Sequence, residues 1–207
     1  NLYYNTSNNY RVSGVPNINV TSLDTWKQLY NGKYDNRSVT AAPLFMNRSE
    51  RDYRIKRTSP AYALGFEDIN MEDIGLLEDF KYGDPEETLD RIFIRSSQDT
   101  VNKSWIDLHV GQSATLELSG RTVSGFVANL NNAQISYSSS NSNIVQVSET
   151  GVMKALKEGD AEITATVTKG NVTKSIKMDV HVENHPASSI IENVQTKDGH
   201  IVSQSGF

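Results

Sequence analysis

The sequence predicts a mainly β chain in two unlike parts. Residues 1–81 carry most of the aromatic side chains, in short apolar runs broken by single helical turns. Residues 103–183 alternate apolar and polar side chains over several runs of strand length, with Gly111, Gly151, Gly159 and Gly170 falling between the runs. No stretch sustains the 3.6-residue period of a long helix, whereas evenly spaced short strands with turn signals are the pattern of a β-sandwich.

In order along the chain, "NLYYN" reads as a short strand followed by an Asn/Ser-rich turn. "TSLDTWKQLY" predicts a short helix, with Thr21 and Asp24 placed as a capping box and Leu23, Trp26 and Tyr30 on one face. Asn31-Gly32 ends it. "APLF" predicts a strand, and "RDYRIKR" a second, with Tyr53 and Ile55 turned inward against Arg54 and Lys56. Ser59 suits the cap of one helical turn, Pro60 its first position and Gly65 its left-handed stop. "INMEDIGL" repeats that device with Asn70 and Gly75.

Residues 82–102 read as a linker: acidic "GDPEETLD", a short "RIFIR" strand, then polar "SSQDTVNKS", with the boundary near 97–102. In 103–183 the inward set comprises Leu116, Leu118, Ile135, Tyr137, Ile163, Ala165, Val167, Ile176, Met178, Val180 and Val182. Pro186 ends the last strand. Residues 184–207 then read as a linker or the truncated start of a further module, with Asp198-Gly199 suited to a hairpin turn. The missing initiator Met and the stop at "SQSGF" predict an internal piece of a longer chain.

Composition narrows the function classes. Of 207 residues, 37% are hydrophobic and 22% charged, which is near globular usage. A net charge of -5 offers no basic face for nucleic acid. No run is long and apolar enough to span a bilayer. Cysteine is absent, which removes disulfides, thiolate nucleophiles and cysteine-held zinc together. A phosphate loop, a dinucleotide fingerprint, a nucleophile elbow and a paired-histidine metal helix are all absent from the sequence.

"VGQSATLELS", "ISYSSSNSNIVQVSETGVMKALKEGDAEITATV" and "SIKMDVHV" together resemble the bacterial immunoglobulin-like domain, group 2, across nearly all of 103–183. Tyr137 stands where that family more often has Trp. The resemblance implies a two-sheet sandwich in a bacterial surface or secreted protein, acting as spacer, adhesin module or enzyme accessory. "APLF" followed by "DYRIKRTSPAYALGF" and "INMEDIGL" resembles the C-terminal end of right-handed parallel β-helix proteins of the pectate-lyase-like, polysaccharide-degrading kind. Ala42 stands where that family often has Asp. This second resemblance implies that 1–81 is the last coil and cap of a solenoid, whose end needs cover for its backbone edges.

Candidate chemistry is sparse. Trp26 and Tyr30 offer rings for stacking on sugar, and Arg54 and Arg57, in a basic run with Arg48, Arg51 and Lys56, offer forks for an acidic polysaccharide. Glu67, Asp68, Glu72 and Asp73 cluster as oxygen ligands for calcium, and equally as a solvated surface with acids at helical-turn N-termini. No catalytic residue and no cofactor beyond that calcium is expected. The expectation is a secreted or cell-surface, monomeric, non-catalytic piece of a multimodular bacterial β-helix protein whose parent lyses or hydrolyses a polysaccharide. The alternative is a non-enzymatic surface adhesin or stalk that binds glycan or a host surface.

Overall fold

The computed structural model describes residues 1–7, 22–70, 74–76, 80–184, 195–197 and 200–202. The front segment holds β1 (Leu2–Tyr3), α1 (Leu23–Gln28), a 3-10 turn (Leu29–Gly32), β2 (Val39–Thr40), β3 (Phe45–Asn47), a second 3-10 turn (Arg48–Glu50), β4 (Asp52–Ile55) and α2 (Pro60–Ala63). β1 and β2 pair in parallel, and β3 and β4 pair antiparallel with a register irregularity. No closed solenoid coil forms among the described residues of this segment.

Local chemistry explains these elements, with two shifts from expectation. The cap of α1 is Ser22, whose hydroxyl accepts from the Thr25 amide at 3.1 Å, rather than Thr21, which lies outside the described residues. The strand expected over "APLF" begins at its last residue, because Leu44 takes a left-handed φ of 58°. The Ser59 cap, with Pro60 at the first turn and Gly65 left-handed at φ 87°, forms as the sequence implies. Asn70 and Gly75 flank residues outside the described set.

The rest is a two-sheet sandwich of β5 (Leu89–Ser96), β6 (Trp105–His109), β7 (Ser113–Thr122), β8 (Gln134–Ser139), β9 (Val145–Val147), β10 (Val152–Ala155), β11 (Gly159–Lys169) and β12 (Val172–Glu183). One sheet runs β5-β7-β10-β9 and the other β6-β12-β11-β8. All pairings are antiparallel except β6 with β12. A final pair, β13 (Gln195–Lys197) and β14 (His200–Val202), is antiparallel around the expected Asp198-Gly199 turn, whose two residues lie outside the described set.

Alternation places the core between the sheets. Ile163, Ala165 and Val167 from β11 and Met178, Val180 and Val182 from β12 are sealed against Leu116, Val145, Met153 and Ala155 from the other sheet. Burying such aliphatic side chains contributes about 1.5–3 kcal/mol each before chain entropy is set against it. The sandwich begins earlier than expected. β5, read as part of a linker, is an edge strand that pairs with β7 and puts Leu89, Ile92 and Ile94 into the core.

Candidate functional site

The front segment is docked on the sandwich, and the joint begins at β4. Period two predicts Tyr53 and Ile55 inside with Arg54 in water. Instead Ile55 is buried, Tyr53 is 58% exposed beside Phe45, and the Arg54 side chain keeps 11% exposure. The reason lies on the other side of the strand. Where β6 approaches β12, the sandwich presents two carbonyl oxygens, of Lys103 and Lys177. The Arg54 guanidinium donates to them at 3.3 and 2.7 Å. Its remaining contacts go to both oxygens of Asp52, at 2.9 and 2.7 Å. A planar fork with five donors satisfies such a set, and an ammonium does not. Ser104 Oγ adds a hydrogen bond to the Ile55 carbonyl. Arg54, expected as a sugar contact, therefore directs its fork into the molecule.

Charge complementarity surrounds that fork. The outer face of the β6-β12-β11 sheet is acidic. Cross-strand register sets His181 between Asp160 and Asp107, and Asp179 between Glu162 and Trp105. Against it lie Arg54, Lys56 and Arg57. Arg57 Nε meets Asp107 at 2.7 Å, and its Nη2 lies 4.0 Å from Glu183. His181 Nδ1 lies 2.7 Å from Asp160. Burial pushes the Asp179 carboxyl above its ordinary range, helped by Glu162 and Asp160 and opposed by Lys56 and Arg54.

A second contact is aromatic. Trp105 Nε1 donates to the Tyr62 hydroxyl at 3.0 Å, and that hydroxyl donates to Asp68 at 2.9 Å. The two rings meet edge to face at 5.9 Å, and Arg57 and Lys103 lie over the indole. Desolvation raises the Tyr62 phenol to about 12, opposed by the indole and helped by Asp68. Desolvation also raises Asp68, against the Tyr62 hydrogen bond and the charges of Lys103 and Arg54. Further along, Arg51 pairs with Asp90 at 2.8 Å and Arg121 donates to the Leu76 carbonyl at 2.7 Å.

The remaining candidates separate from this joint. Trp26 sits in a different cluster, stacked 6.0 Å from Tyr34, with its indole N–H donated to Asp35 at 2.8 Å. Asp35, left-handed at φ 56°, also accepts from Ser38 and Tyr3. The Ser38 hydroxyl, then the indole, hold its carboxyl down to about 2. Tyr30 has its backbone in the 3-10 turn Leu29–Gly32, and its side chain lies outside the described set. Of the carboxylates expected at a calcium site, Asp68 is engaged by Tyr62 and Glu67 is exposed, while Glu72 and Asp73 lie outside the described residues. Among the described residues no group of three or more acidic or histidine side chains is arranged to hold a metal ion.

Residues 107–178 match the bacterial Ig-like domain (group 2). The matched stretch runs from within β6 to within β12 and leaves β5, the edge strand of the opposite sheet, outside it. No curated protein matches the chain. Among solved structures, domains 4 and 5 of the S-layer protein SbsC align at 20% identity over 46% of this chain and 52% of theirs, with a TM-score of 0.35. An intimin mutant from EHEC O157:H7 aligns at 20% identity over 44% and 46%, with a TM-score of 0.30. A GH10 xylanase from termite gut that contains a bacterial Ig-like domain aligns at 23% identity over 40% and 20%, with a TM-score of 0.25. This chain thus spans about half, or less, of each structure it resembles. No helix among the described residues is long and apolar enough to cross a membrane.

Proposed function

We propose that the chain is a non-catalytic connector from a secreted or cell-surface multimodular bacterial protein. In this reading 1–81 closes a right-handed parallel β-helix whose missing coils act on a polysaccharide, and the Ig-like sandwich is an accessory module seated on that closure. The observation that carries it is the Arg54 joint: one half-buried fork ties a β4 carboxylate to two sandwich carbonyls, fastening the front segment to the sandwich at that point. A tether between independent modules needs no such contact. The parallel pairing of β1 with β2, across an intervening helix, supports the solenoid-end reading. Assays of the chain against pectin, polygalacturonate and xylan should give no turnover; turnover overturns the non-catalytic reading.

The adhesin reading is favoured by a different observation, the cluster of Trp26 and Tyr34, whose indole shares Asp35 with the exposed Tyr3. Stacking of rings on a sugar is its chemistry. It predicts glycan-array binding by the chain that disappears in Trp26→Ala. Silence on the array leaves closure and spacing as the role of the front segment.

A further inference from the structure

The side of the sandwich away from the joint is open. β8 and β9 are the edges of the two sheets there, and β9 has three residues against six in β8, too few to cover it. The β11 partners of β8's inward positions are fully buried, yet Ile135 is 38% exposed and Tyr137 only half-buried. Beside these edges lies an open hollow of about 540 Å³, walled by β8 and by the outward positions Ser113, Gln146, Val152 and Lys154 of β7, β9 and β10.

We propose that this hollow binds a neutral saccharide unit. Tyr137 forms part of its wall. Its hydroxyl end rests over Gly151, where an added Cβ would come within 2.9 Å of Cζ, and that residue is left-handed at φ 79°. The hydroxyl makes no hydrogen bond among the described residues and is open to solvent, so its donor and acceptor are free for a ligand. Burial raises the phenol's pKa, which keeps it a neutral donor. The lining also holds Ser142 and Gln146, which can donate and accept, and Ser139 and Ser148, whose oxygens already accept from the Asn141 and Val152 amides. No carboxylate lines the hollow and Lys154 is its one ionised group, so neither a cation nor a polyanion is matched by charge. A peptide strand adding to the β8 edge would use main-chain groups and leave this hydroxyl unmet.

The test is a ¹H–¹⁵N NMR titration of the whole chain with cellohexaose, xylohexaose and mannohexaose, each at ~10 mM so that a millimolar site saturates. At least one should shift amides of residues 134–154. Tyr137→Phe, which keeps the ring, should weaken that binding about three- to tenfold, the worth of one hydrogen bond. Gln146→Ala should weaken it similarly, and serves if Tyr137→Phe disturbs the fold. Trp26→Ala should leave it unchanged, so a failure here is distinct from a failure of glycan binding at the front segment. No shift with any of the three sugars, shifts confined to the Trp26 cluster, binding indifferent to both Tyr137→Phe and Gln146→Ala, or β8 shifts with an extended peptide and none with sugar each overturn the proposal.

Discussion

Replacing Arg54 with Ala tests whether the two parts are one folded unit. The substitution removes a guanidinium that bonds Asp52 twice and the Lys103 and Lys177 carbonyls once each. Breaking one partner of a buried ion pair costs about 3–5 kcal/mol, and each hydrogen bond to a charged group about 1.5–3 kcal/mol. Asp52 keeps 16% exposure and rehydrates in part, which sets the net loss near the low end, about 3 kcal/mol. Urea unfolding followed by tryptophan fluorescence reads it, since Trp26 reports on the front segment and Trp105 on the joint. The wild-type chain should unfold in one transition. Arg54→Ala should lose its front segment first, while the strand signal of the sandwich persists to higher urea. Arg54→Lys, which keeps the charge without the fork, should recover less than half of the loss. A loss in Arg54→Ala below about 1 kcal/mol, the worth of an exposed pair, refutes the reasoning.

Asp179 and Asp68 bind protons more tightly folded than unfolded, so the stability they contribute is present below the unfolded value of 3.8 and fades as pH rises through their raised folded values. Asp179→Asn should therefore raise the melting temperature at neutral pH and flatten its rise on mild acidification, as scanning calorimetry will show. In the core, Met153→Ala empties space beneath a fully buried side chain and should cost about 2–5 kcal/mol by chemical denaturation. Gly83→Ala would set a methyl 2.1 Å from the buried Phe126 ring, and should cost about 1–3 kcal/mol in the same assay.

The sandwich was legible wherever one face meets core and the other meets water. β11 and β12 alternate cleanly, and Gly111, Gly151, Gly159 and Gly170 all adopt the left-handed φ that their turns require. The Ser59-Pro60 start of α2 was legible because capping is chemistry between neighbours. β5 was missed as a sandwich strand although Ile92, Ile94 and Ser96 alternate inward against Arg91, Phe93 and Arg95. Its flanks, acidic "GDPEETLD" and polar "SSQDTVNKS", resemble linker, and only its partner β7 decides the matter. Arg54 was misread for a related reason. Period two reports that a residue faces away from one core, and is silent on whether water or a second surface lies there. The hollow at Tyr137 carried no signal, because it is lined by β8 together with positions of β7, β9 and β10 that become neighbours only through cross-strand pairing.

The parallel pairing of β6 with β12 has a mechanical consequence. The chain enters the sandwich's second sheet at Trp105 and leaves it at Glu183, by strands running the same way side by side. Once β5 has peeled from β7, tension between the front segment and the residues after 184 pulls these strands along their length in opposite senses. All the bonds of that ladder then carry load at once, instead of opening one after another like a zip. Arg54 grips the Lys177 carbonyl on β12 itself, so part of the pull bypasses the ladder and passes straight into the exit strand.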